Sequence, residues 1–94
     1  LASDFNPGSC TINSLPQIMF LAMSHCSMTF EEAFKAVTYS AAKAINRNSN
    51  IGLIKENYNA DLLFWDIESI YEIPYWFNSE RLFKVVKKGK LVDL

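Results

Sequence analysis

The 94-residue chain holds one histidine, two cysteines, three glycines and three prolines, and each shortage narrows what it does. A single imidazole, His25, cannot build a histidine-rich metal site; beside Cys26 at an expected helix end it reads as a C-terminal helix residue. Cys10 and Cys26 lack CxxC spacing, which argues against a zinc knuckle or a redox pair and leaves reduced, cytosolic thiols as the expectation. No excess of one charge exists. Nine basic against ten acidic residues give a net charge of −1, so electrostatics offers no case for nucleic acid or an anionic membrane as partner. The longest apolar run, Leu15 to Met23, is interrupted by Pro16 and Gln17 and falls well short of the roughly 20 residues of a membrane span. Neither an initiator methionine nor a signal-peptide pattern precedes Leu1, and the chain reads as a piece of something longer. There are no repeats and no low-complexity linker.

What is present is apolar mass: half of the residues, enough for a core. Leu15, Ile18, Met19, Ala22 and Cys26 recur at helical spacing, predicting a helix from about Ser14 to Cys26 with Pro16 in its first turn. Thr29 and Glu32 form a capping-box pattern that starts a second helix, with Phe30, Ala33, Phe34 and Val37 as its buried stripe and Glu31 near the positive end of the helix dipole. Adjacent helical positions face different directions, so Glu31 and Glu32 are read as capping groups and not as an acid/base couple. A short third helix is expected over Thr38 to Asn46, anchored by Ile45 and ended by the polar run Asn46 to Asn50. From Ile51 the period becomes strand-like. Leu62 to Trp65 reads as a strand buried on both faces, bracketed by the turn residues Asp61 and Asp66. Leu82 to Lys87 and Lys90 to Val92 read as a hairpin, and Tyr71, Tyr75, Trp76 and Phe77 as a packed loop over a sheet edge.

The stretch Leu1 to Ser9 is the candidate for chemistry. A short apolar lead ends in one carboxylate, Asp4, and Asn6-Pro7-Gly8-Ser9 follows at once, as when a strand delivers an acid to the rim of a site. Pro7 biases Asn6 toward extended geometry, and Gly8 permits a positive φ or a close approach. Free amides around Gly8, the Ser9 hydroxyl and the Asn6 carboxamide would suit an anionic substrate. The alternative is an Asx-type turn in which Asp4 only caps backbone amides.

Ser3-Asp4-Phe5-Asn6-Pro7-Gly8-Ser9 resembles the segment after the eighth barrel strand of imidazolonepropionases, in the amidohydrolase superfamily. Thr29-Phe30-Glu31-Glu32-Ala33, Val37 to Ile45, Ile51 to Ile54, Ala60 to Asp66, Ile73 to Trp76 and Val85 to Lys90 resemble later segments of that family, in its order. The Ala60-Asp61-Leu62 ending is superfamily-wide; the loop at Asp4 is what points to the narrower family. Departures fall at Asn46 and Asn57, where relatives usually have glycine and where asparagine is the next best residue for a left-handed turn.

The resemblance implies an α/β fold: residues 1–50 as the last strand and helices of a (β/α)8 barrel, and residues 51–94 as C-terminal strands of a composite β-sandwich domain. It implies Asp4 as a ligand of one Zn or Fe ion and as the proton carrier, with Asn6, Gly8 and Ser9 holding substrate. The implied reaction is hydrolytic opening of 4-imidazolone-5-propanoate to N-formimidoyl-L-glutamate in histidine degradation, by a cytoplasmic enzyme that is a homodimer at full length. With Asp4 and none of the family's metal-binding histidines, the fragment alone is expected to be inactive and to expose the apolar faces of its helices. Two other readings stay open: another cyclic amidohydrolase or deaminase, and a small non-catalytic interaction module.

Overall fold

Local signals set the helices of the computed structural model, which describes residues 1–93; Leu94, at the end of the expected second region, lies outside them. Helix α1 spans Leu15–His25, begins where the Ser14 hydroxyl accepts from the Gln17 amide at 3.4 Å, and tolerates Pro16 because first-turn amides need no helical partner. Helix α2, Phe30–Val37, starts at a reciprocal capping box: the Glu32 amide donates to Thr29 Oγ1 at 3.1 Å and the Thr29 amide to Glu32 Oε1 at 3.2 Å. Helix α3, Tyr39–Ala44, is shorter than expected. It closes at Asn46, left-handed at φ 58°, as the Asn46 amide donates to the Lys43 carbonyl and the Arg47 amide to that of Ala42. Ile45 therefore lies past the last helical residue and is 65 % exposed, so it does not anchor the helix as expected.

The strand-like run expected from Ile51 starts only at Leu62. Before it, turns tie the chain to itself: Asn59 donates to the Asn50 carbonyl at 2.8 Å, the Tyr58 hydroxyl to that of Asn48 at 2.6 Å, and Asn57 turns left-handed at φ 68°. Gly52, at φ 95°, lies against α3 so closely that a Cβ there would stand 2.9 Å from that of Ala42.

Strands β1 (Leu62–Trp65), β2 (Leu82–Lys87) and β3 (Lys90–Val92) form an antiparallel sheet in that order. Lys88 and Gly89, both left-handed at φ 50° and 78°, make the two-residue turn of the β2–β3 hairpin, a geometry whose twist matches the strands. Asp61 braces this turn, accepting from the Lys88 amide and the Lys87 ammonium, each at 2.9 Å. Strand β1 is not buried on both faces. Leu63 and Phe64 are 55 % and 46 % exposed, since β1 is an edge strand that among the described residues pairs with β2 alone and carries a bulge at Phe64/Trp65.

Met19, Phe30, Ala33 and Ile73 form the buried core, flanked by Met23, Phe34, Val37, Trp65 and Ile67. Ile73 arrives on a short helix, α4 (Glu72–Tyr75), where a loop was expected. Its approach is held by Glu72, whose Oε2 accepts from the Glu68 and Ser69 amides at 3.0 and 2.8 Å and whose Oε1 accepts from the Trp76 indole at 3.0 Å. The neighbouring aromatics pack on the helices and not over a sheet edge: Tyr71 meets Phe30 with centroids 4.7 Å apart, Phe77 meets Phe20 at 4.9 Å, and the Tyr71 hydroxyl donates to Glu31 at 3.2 Å.

Three strands do not close a barrel, and among the described residues there is no other sheet. Leu1 to Phe5, expected as a barrel strand, shows no ladder; the nearest pairing is a lone bridge between Asn6 and Cys10. A strand is defined by the neighbour it bonds to, and none lies beside this stretch among the described residues.

Candidate functional site

The loop after Asp4 is organised by Asn6. Its side-chain Oδ1 accepts from the Gly8 and Ser9 amides, each at 2.8 Å, while Nδ2 donates to the Asp4 carbonyl at 2.6 Å and to Ser9 Oγ at 3.1 Å. An Asx turn is thus present, with Asn6 and not Asp4 as its capping residue. Gly8 is not at positive φ; it serves by close approach, since a Cβ there would stand 3.2 Å from Asn6 Oδ1. The amides expected to face an anion are turned inward to Asn6.

Asp4 itself is left-handed at φ 51°, a conformation that side chains with a Cβ rarely adopt and that aspartate tolerates better than most. Its carboxylate is exposed and accepts no hydrogen bond among the described residues. Composition gave no warning of this backbone, since aspartate tolerates the left-handed region without requiring it.

Two cavities open on the helical region, and Asp4 lines neither. One, of about 480 Å³, lies between the start of α1 and the segment Trp76 to Leu82. There the Arg81 guanidinium stacks 4.6 Å over the Trp76 ring, and its buried Nε finds no acceptor among the described residues. The other, of about 300 Å³, lies between α1 and α4, next to Phe20 and Tyr75.

Two carboxylates are held below their ordinary range, both outside the Asp4 loop. For Asp61 the amide of Lys88 is the main cause and the Lys87 side chain the next; for Glu72 the Trp76 indole leads, followed by the Ser69 amide. Each has a structural task, Asp61 at the hairpin and Glu72 at the first residue of α4. His25 is exposed at the end of α1, its Nδ1 sharing a 2.7 Å hydrogen bond with Ser24, and Cys10 and Cys26 are free thiols.

Among the described residues no three His, Cys, Asp or Glu side chains come together as a metal site. A catalytic zinc usually takes three protein ligands, and Asp4 stands alone, so the residues of this chain do not by themselves fit the metal implied for the family.

The pattern of the amidohydrolase family fits residues 1–92. An imidazolonepropionase from Kosmotoga olearia is 44 % identical over 92 residues, an alignment that takes in 98 % of this chain and 23 % of that protein. Imidazolonepropionases from Alkaliphilus oremlandii and Bacillus velezensis are each 41 % identical over 92 residues, covering 98 % of this chain and 22 % of theirs. The chain spans less than a quarter of the length of these relatives.

Proposed function

The chain belongs to the amidohydrolase family, and we propose that it is the C-terminal part of an imidazolonepropionase, which hydrolyses 4-imidazolone-5-propanoate to N-formimidoyl-L-glutamate. The observation that carries this is the 44 % identity running through 92 residues, the Asp4 loop included. In this reading residues 1–50 complete a (β/α)8 barrel, and residues 51–94 join a composite β domain. Asp4 is the reacting carboxylate: it takes a proton from the attacking water and returns it to the departing ring nitrogen. The loop of Asn6, Gly8 and Ser9 is the substrate-facing wall beside it. A Zn or Fe ion in the complete enzyme would include Asp4 among its ligands and draw the others from outside this chain, so the 94 residues alone are expected to be inactive. The complete enzyme is proposed to be a cytoplasmic homodimer. No helix among the described residues is long and apolar enough to cross a membrane.

The test is a graft. The matching 92 residues of the Kosmotoga olearia relative are replaced by those of this chain, and the hybrid is assayed on imidazolone propanoate, hydantoin and guanine. Turnover of the first substrate is expected, and Asp4→Asn should lower kcat by about 10²-fold or more while leaving the circular dichroism unchanged. A folded hybrid that prefers hydantoin or guanine would move the assignment to another cyclic amidohydrolase or deaminase.

A further inference from the structure

We infer that Ala60 and Asp61 form a latch that sets the register of the three-stranded sheet, by gripping the turn between β2 and β3 from the entry of β1. This concerns the sheet alone and is independent of the chemistry proposed for the Asp4 loop.

A two-residue hairpin is bonded through the residues that flank its turn, so the amides of the turn residues themselves have no partner inside it. Here both are taken by the two residues that precede β1. The Lys88 amide donates to Asp61 Oδ1 at 2.9 Å, and the Gly89 amide to the Ala60 carbonyl at 3.0 Å. The turn needs this help. A left-handed pair is ordinarily supplied by Asn-Gly, and a lysine in its first position resists φ 50°. Asp61 also accepts from Lys87 Nζ at 2.9 Å, but the Lys87 side chain is 61 % exposed, so water screens the ion pair and the amide bond counts for more.

The strands do not choose a register by their own pattern. Leu63, Val85 and Val92 stand in one cross-strand row, and Leu62, Val86 and Leu91 in the next, on the opposite face. A slip of one residue would exchange one apolar row for another, where an alternating strand would lose its buried set. Exposure does not alternate along β1 or β2 either. What distinguishes the observed register is the latch, which lies just beyond the Leu62–Val86 pair. The irregularity in the ladder, the bulge at Phe64/Trp65, falls at the other end of β1.

NMR of the 94-residue chain tests this through cross-strand Overhauser contacts. Contacts of Leu62 with Val86 and of Leu63 with Val85 are expected in the wild-type chain, with the strong intraresidue amide-to-Hα effect of a left-handed residue at Lys88. Asp61→Ala should lose both sets. Asp61→Asn, which keeps an acceptor for the Lys88 amide, and Lys87→Met, which removes only the ion pair, should keep both. The double variant Asp61→Ala/Lys88→Asn reads the latch even if Asp61→Ala unfolds the sheet, because Asn-Gly makes the turn unaided. Its Val85–Val92 contact is expected to return, while the wild-type contacts between β1 and β2 stay lost. Wild-type contacts between β1 and β2 in Asp61→Ala or in the double variant, or their absence from the wild-type chain, would overturn the inference. So would their loss in Lys87→Met, which would make the ion pair the pin.

Discussion

The helical region and the sheet obey their local rules equally well and differ in what covers them. Among the helices, α2 starts at a reciprocal cap and α1 at Ser14, and Met19 and Ala33 are 2 % and 0 % exposed. The β2–β3 turn is equally well formed and is braced by Asp61, yet Leu63, Phe64, Phe83 and Leu91 stand in the open and, among the described residues, both outer strands have an unpaired edge. Hydrogen bonding is satisfied by near neighbours; burial needs a second layer. The helices find theirs in α4; the sheet reaches that core through Trp65, and its exposed apolar side chains have no layer over them among the described residues.

Substitution sharpens the contrast. Met19→Ala, in the centre of the helical core, is expected to cost about 2–5 kcal/mol in urea unfolding of the chain. A loss under ~1 kcal/mol would mean that this core is no better sealed than the sheet. Gly52→Ala, at the seam between α3 and the connector, forces a Cβ into φ 95° and against Ala42, and about 1–2 kcal/mol should be lost. The melting temperature of that variant tells whether the connector is packed as firmly as the helices. Leu63→Ser on β1 should change the stability of the chain by less than about 0.5 kcal/mol. In the graft, where a further layer is proposed to cover the sheet, the same change should cost about 1.5–3 kcal/mol. Equal costs in the two settings would remove the reason for treating the sheet as half of a larger structure.

The same division explains what the residues announced. Ser14, Thr29 and Glu32 are legible because a cap is decided within four positions, and Asn46 and Asn57 because few other side chains accept positive φ. The burial of β1 and the role of Ile45 were misread, since both depend on surfaces distant in the chain. The turn leading into α4 carried a usable sign: Ser69 and Glu72 have the spacing of a capping box and the Glu72 carboxylate accepts from the Ser69 amide, although the residue at the helix cap itself is Tyr71, whose side chain makes no cap bond. Pro74, which sits harmlessly in the first turn, masked it. In the loop after Asp4, which residue caps the turn was not legible, because an Asp and an Asn two residues apart compete for the same amides and only coordinates show that Asn6 takes them.

Ile73 has a consequence for biosynthesis. It belongs to the same buried cluster as Met19, Phe30 and Ala33 but is synthesised long after them. On the ribosome α1 and α2 emerge with their inner faces wet and must wait for α4 before they can dry. During that interval the nascent polypeptide offers chaperones a greasy helical hairpin, and a translational pause before codon 73 would prolong the exposure.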